Sequence, residues 1–271
     1  MSNRRYDAVP GFFLQDLEGL PGIPARFGLI DASGERWSNL RTQIQALNSA
    51  APSGTAYKLF FLSRHGQGYH NVAEAKYGTS SWDSYWSKLN GDGEISWGPD
   101  PQLTSIGIEQ AKDIRRALEI ELDNGFHLPD KLYCSPLSRA LRTCEIMFDS
   151  LVRNGSVMVI ENCREENGEH TCDRRNTRTY IASTYPNFTI EDGFTEEDEL
   201  WTPERETKQH MEERARNVLD TIFEDDTDNT FISVTAHGGF INAFLWASGR
   251  PSYPLPTGGV LPLVVKCEIK A

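Results

Sequence analysis

The chain is short of positive charge, of paired cysteines and of long apolar runs, and each shortage removes a class of function. Its 271 residues carry 27 Lys and Arg against 39 Asp and Glu, a formal charge of −12. Binding nucleic acid without regard to sequence means neutralising many phosphates, so a surface this acidic is a poor candidate for it. The five cysteines (Cys134, Cys144, Cys163, Cys172, Cys267) are odd in number and none forms a C-x-x-C pair. That pattern predicts reduced, buried thiols in a cytoplasmic protein rather than a zinc knuckle or a dithiol redox site. No apolar run approaches the ~18 residues that a membrane span needs. The opening, MSNRRYDAVPGFF, has no continuous apolar stretch of the kind an export leader carries. The ending, VKCEIKA, matches no common address tag or prenylation box. Internal repeats and low-complexity tracts are lacking as well.

What is present is material for a core. Hydrophobic residues make up 38% of the chain, with 13 Phe and 6 Trp, which excludes wholesale disorder and suits one large domain or two small ones. Short apolar runs lie at 57–63 (YKLFFLS), 131–135 (KLYCS), 157–163 (VMVIENC), 231–236 (FISVTA) and 260–269 (VLPLVVKCEI), each the length of a buried strand. Between them, apolar residues recur near helical spacing over 105–122, 137–152 and 203–223, and a further helix is predicted over 239–247. Thr104 or Ser105 supplies an N-cap for the first of these. Strands alternating with helices predict an α/β fold, a three-layer α/β/α sandwich around a mostly parallel sheet. Residues 1–56 read as an N-terminal arm packed on a 57–271 domain, with one short helix over 38–47. Residues 77–101, with Trp82, Trp86 and Trp97, read as an insert, either a pocket wall or an ordinary loop anchored by its aromatics. The polar stretch 165–202 is expected to be irregular.

In open α/β sheets, ligands bind beyond the carboxyl ends of the strands. Four such ends carry reactive groups: RHGQGYHN at 64–71, SPLSRALRT at 135–143, Arg164-Glu165, and AHGG at 236–239. Two histidines, two arginines and a carboxylate thereby gather at one sheet edge. A neutral imidazole is a competent nucleophile toward phosphorus. Arginines fork onto the nonbridging oxygens, where phosphoryl transfer spreads its charge. A carboxyl group can protonate the leaving oxygen and then activate water. This chemistry calls for no metal and no organic cofactor. His170, Cys172 and Asp173 lack a fourth partner, so no metal site is expected there. Arg174, Arg175 and Arg178 form a basic cluster in an acidic chain. It is either a hold for a second anionic group of the substrate or a solvated loop.

These segments, in this order, resemble the histidine phosphatase superfamily in its phosphoglycerate mutase-like branch. The resemblance runs from about 57 to 269 and includes LTSIGIEQA at 103–111 and LPTGG at 255–259. RHGQGYHN with the Trp-rich insert, HTCDRR at 170–175 and EEDELW at 196–201 looks like the fungal phosphomutase-like proteins. The resemblance implies a phosphoglycerate mutase-like fold with His65 as the phosphorylated nucleophile. Arg64 and Arg139 would clamp the phosphoryl group, His237 would complete the pocket, and Glu165 would be the general acid/base. Asn71 would contact the phosphoryl group, with the Gly238 backbone nearby as a further substrate-binding candidate. Gln67, His70, His170, Arg174 and Arg175 are candidates for the surrounding substrate contacts. Mutases of the family usually carry Glu where this chain has Gln67. The expected activity is therefore hydrolysis of a small phosphorylated metabolite through a phosphohistidine, with neither nucleic acid nor membrane as a partner. Alternatives are a mutase with the same site, a relative repurposed for dehydration of an unphosphorylated molecule, and a non-catalytic binding module. Whether the chain forms a homodimer is left open by the sequence.

Overall fold

The computed structural model describes residues 3–17, 22–153 and 155–270. Seven strands form one sheet in the order β1-β7-β2-β6-β3-β4-β5. They are β1 (Arg4–Val9), β2 (Thr55–Arg64), β3 (Lys131–Cys134), β4 (Val157–Val159), β5 (Phe188–Ile190), β6 (Phe231–Ala236) and β7 (Val260–Ile269). The five from β2 to β5 run parallel, while β7 is antiparallel to β2 and β1 antiparallel to β7. The helices are α1 (Arg36–Ala50), α2 (Tyr69–Tyr77), α3 (Thr79–Ser84), α4 (Ser105–Leu122), α5 (Ser138–Phe148), α6 (Arg178–Thr184), α7 (Lys208–Asp225) and α8 (Gly238–Ala247). None among the described residues is long and apolar enough to cross a membrane.

Alternation along β2 builds the layers. Phe60 and Leu62 face a core shared with Met211, Leu219 and Ile222 of α7 and Phe240 and Phe244 of α8. Leu59 and Phe61 face the other core, with Trp37 and Leu40 of α1, Ile114 and Leu118 of α4, and Leu141 of α5. A strand buried on both faces must be apolar at every position, which is why this one reads as an unbroken run. The sheet order supplies a switch point. β6 lies between β2 and β3, and the parallel register sets Arg64 beside Ala236 and Cys134 beside Thr235. The ladder continues one residue past each strand: His65 donates its N–H to Ala236 O at 3.0 Å, and Ser135 to Thr235 O at 3.0 Å. Three neighbouring strands therefore end at one level, and His65, Ser135 and His237 leave the sheet together.

Some expectations need correction. The N-terminal segment contains an edge strand, β1, and fills one core with Phe13, Phe27 and Trp37. The run 157–163 is a strand only to Val159, after which Glu161–Cys163 turns as a 3₁₀ helix. The stretch expected to be irregular, 165–202, holds α6 and β5. In the insert, Trp82 and Trp97 are buried with Ala73 and Cys172, and Tyr77 stacks on Trp86 at 3.9 Å. This small aromatic core leans on the 170–173 segment, where Thr171 Oγ1 donates to Leu89 O at 2.6 Å.

Candidate active site

The loop after β2 is pressed against the start of α4. A Cβ on Gly66 would lie 2.2 Å from Gly107 O, and one on Gly107 would lie 2.2 Å from Gln67 O. Two backbones this close exclude any side chain, so glycine is required at both positions. Gly66 N–H donates to Thr143 Oγ1 at 3.0 Å, tying the loop to α5 as well.

His65 is 1% exposed. Its Nδ1 lies 2.6 Å from the carbonyl oxygen of Gly66. A carbonyl only accepts, so Nδ1 carries the hydrogen. Burial, with Arg139 and Arg64 close by, pushes the pKa of this ring well below that of a free imidazole. The ring is therefore neutral and its Nε2 holds a lone pair, the state of a nucleophile. Arg139 Nε donates toward that nitrogen from 3.3 Å. His237 and His70 stand near, with ring centroids 4.9 and 5.5 Å from His65. Burial and Arg139 likewise push both of their pKa values well down. His237 Nε2 lies 2.7 Å from Ser135 Oγ, and its Nδ1 has no protein partner.

Arg64 extends across the same region. One Nη donates to Leu255 O at 2.8 Å, while its buried Nε is unpartnered. It makes no ion pair among the described residues. Burial lowers its pKa against the opposing charges of Glu165 and Glu74, yet a guanidinium stays charged. Buried polar atoms in folded proteins are normally satisfied. Among the described residues Arg64 Nε and His237 Nδ1, on two side chains that neighbour the neutral His65, lack partners, as does His70 Nδ1, which packs against Gly68. Such a set fits an oxyanion with several acceptor oxygens.

Glu165 caps α8. Its oxygens accept from the N–H groups of Gly239 at 3.0 Å, Phe240 at 3.1 Å and Glu166 at 3.0 Å. The helix N-terminus favours a negative group there. A Cβ on Gly239 would sit 2.1 Å from Glu165 Oε1, which explains the second glycine of AHGG. Gly238 is the first residue of α8, against the Arg64 side chain.

Other expected contacts are placed elsewhere. Arg175 is a correction. It is 5% exposed, and its guanidinium is spent on Glu161 at 2.9 Å and on the carbonyls of Thr195 and Glu197, with the Phe194 ring 4.1 Å away. Arg174 is exposed and lies over the Trp201 ring at 5.6 Å. Gln67 is turned to α4, where its Oε1 accepts from Thr104 Oγ1 at 2.8 Å. Asn71 Oδ1 accepts from Gly68 N–H at 3.0 Å and closes the turn into α2. His170 faces the insert, 6.0 Å from the Trp82 ring, and burial lowers its pKa. The ligand atoms of His170, Cys172 and Asp173 do lie within 4.8 Å of one another. However, two arginines hold Asp173 (Arg139 at 2.8 Å, Arg205 at 3.0 Å), and burial keeps the Cys172 thiol protonated. Such neighbours oppose a cation.

Sequence reasoning passed over Ser135, Thr143 and Asp100. Asp100 is 3% exposed and accepts from Ser138 N–H and Oγ at 2.8 and 2.7 Å, and from Asn176 Nδ2 at 2.7 Å. It fixes the start of α5, one residue before Arg139. Only Ser135 had a usable signal, as the last residue of a predicted strand.

A family model of the histidine phosphatase superfamily (branch 1) matches residues 60–253, most of the chain. The chain belongs to the histidine phosphatase superfamily. Within that superfamily it is similar to a probable phosphoglycerate mutase of Arthroderma benhamiae. The two are 42% identical over 97% of this chain and 84% of the relative. A phosphomutase-like protein of Candida albicans is 37% identical over 78% of this chain and 66% of its own length. A probable phosphoglycerate mutase of Saccharomyces cerevisiae is 33% identical over 97% and 96%. The β2–β6–β3 level with its two histidines is thus the candidate site within the matched region.

Proposed function

We propose that the chain is a phosphatase that hydrolyses a small phosphorylated metabolite through a phosphohistidine on His65. The observation that carries this is the tautomer of His65: Nδ1–H is held by Gly66 O, and a neutral Nε2 faces Arg139. In the first step the Nε2 lone pair forms a bond to phosphorus as the bond to the leaving oxygen breaks. That oxygen takes a proton from Glu165, whose carboxylate has first accepted it from the bound phosphate monoanion. In the second step a water gives its proton to Glu165 and attacks phosphorus. The N–P bond breaks and inorganic phosphate leaves. Arg64, Arg139 and an Nδ1–H of His237, with Ser135 donating to Nε2, would hold the phosphoryl oxygens. Each such fixed donor is worth roughly 10²–10³ in rate. The charge is supplied by side chains, so no metal ion is called on. Five unbridged, buried cysteines favour a reducing compartment, the cytoplasm.

The test compares wild type with His65→Ala on p-nitrophenyl phosphate and on a panel of sugar and glycerate monophosphates. Loss of at least ~10⁴-fold in kcat/KM, in line with removal of other covalent nucleophiles, is expected. Full activity in the variant would overturn the reading. A mutase is the second reading, favoured by the names of the fungal relatives. Labelled phosphate recovered on an isomeric product rather than free would establish it.

A further inference from the structure

The most buried ion pair at the site lies behind Arg139. Asp173, 3% exposed, receives Arg139 Nη2 on one oxygen at 2.8 Å and Arg205 Nη1 on the other at 3.0 Å. Arg139 Nη1 donates to the carbonyl of Cys172 at 2.7 Å. A guanidinium is planar, so two of its nitrogens bonded to the 172–173 backbone and side chain fix the direction of the third. That third nitrogen, Nε, points at His65 Nε2. The backbone of Asp173 is itself fixed, because its carbonyl accepts from Arg164 Nη2 at 2.8 Å. Burial alone would raise the Asp173 pKa, but Arg139 and Arg205 outweigh it and keep the carboxyl ionised. The same Nη1 of Arg205 also donates to the carbonyls of Glu166 and Gly168 at 2.9 and 2.7 Å. Both carbonyls belong to the loop that directly follows Glu165.

We propose that Asp173 is the positioning residue of this site: it locks Arg139 onto His65 and, through Arg205, ties that clamp to the loop bearing Glu165. The inference rests on the phosphatase reading and adds a residue that touches neither the nucleophile nor the phosphoryl group. It gives HTCDRR a role other than substrate contact. The segment delivers one carboxylate to two arginines, and the insert supports it from behind.

The experiment measures orthovanadate binding by calorimetry, beside p-nitrophenyl phosphate kinetics, for wild type, Asp173→Ala, Asp173→Asn and Arg205→Gln. A misdirected clamp costs on the order of 10²-fold. Asp173→Ala is therefore expected to lower kcat/KM about 100-fold and to weaken vanadate binding in proportion. Asp173→Asn keeps an acceptor for Arg139, and Arg205→Gln keeps the carboxylate, so each should lose about tenfold. If Asp173→Ala does not fold, these two carry the test. Vanadate affinity and kcat/KM within twofold of wild type would overturn the inference. So would a fall in kcat with vanadate affinity unchanged, which is the mark of a smaller folded fraction alone. A wild-type chain that binds no vanadate would instead overturn the phosphatase reading, so the two failures are distinguishable.

Discussion

Two sets of arginines in this fold, Arg164 with Arg175 and Arg64 on its own, are satisfied differently. Arg164 is fully buried against Asp198 at 2.6 and 2.7 Å and Glu161 at 2.9 Å. Arg175 shares Glu161. Against the cost of burial, these carboxylates raise the pKa of Arg164. Arg64 is also largely buried, but it has no carboxylate in contact and its pKa falls. The first group is a closed ionic cluster that shapes the 161–205 segment. The second is held by one backbone carbonyl, that of Leu255, and meets no carboxylate among the described residues. A buried cation without a counter-charge is costly, and a protein retains one where a ligand supplies the charge. Carboxylates close Arg164 and Arg175 into the scaffold, whereas at the candidate site Arg139 meets one, Asp173, and Arg64 meets none among the described residues.

Substitution should break this contrast most sharply. Arg64→Ala is expected to lower kcat/KM by ~10²–10³ with little loss of stability, since it removes an oxyanion donor that no carboxylate depends on. Arg164→Ala leaves the buried Asp198 without its counter-charge, with only backbone N–H donors, while Glu161 keeps Arg175. It should cost about 3–5 kcal/mol, while the remaining folded molecules stay active. Urea unfolding and steady-state kinetics on both variants check the pair, and matching profiles would dissolve the distinction.

A second test uses pH. Unfolded histidines titrate near 6.5, whereas burial and Arg139 hold His65, His70 and His237 well below that. As pH falls through this window, the unfolded chain takes up protons that the folded site refuses. Stability should therefore be full above about 6.5. It should decline below that by up to ~1.4 kcal/mol per pH unit for each histidine. Unfolding midpoints between pH 7 and 5 report the slope, and His70→Asn should make it shallower by about one proton. A flat profile would mean that these rings have a counter-charge after all.

The smallest effect belongs to Arg174. It neighbours Arg175 in sequence, yet it is exposed and, among the described residues, its guanidinium meets the Trp201 ring alone. Arg174→Ala should change stability by no more than about 0.5 kcal/mol. A large loss would mean that the exposed arginine belongs with the compensated group.

Much of this frame was legible in the residues. β6, β7 and α4 lie where apolar runs and the Thr104 cap place them, because buried central strands and amphipathic helices write their burial into local pattern. β1 was not legible. RRYDAV has no apolar run, and it is a strand because β7 offers it an edge in register from Arg4↔Ile269 to Val9↔Val264. β5 is three residues long and forms against β4 in the same way. In HTCDRR the basic residues were visible and their partners were not, since Glu161 and Asp198 lie 14 and 23 positions from Arg175.

The sequence by itself determined the sheet-and-helix alternation, the histidines and arginines placed after strands, and the glycines that let backbones touch. These are properties of neighbours along the chain, set by periodicity and steric fit. Tertiary structure alone decided which charges are cancelled. The field at a buried group is summed over everything near it in space. Asp173 meets Arg139 and Arg205 from positions 34 and 32 residues away. Arg64 meets no such partner among the described residues. That difference leaves Arg64 for a ligand and Arg164 for the fold.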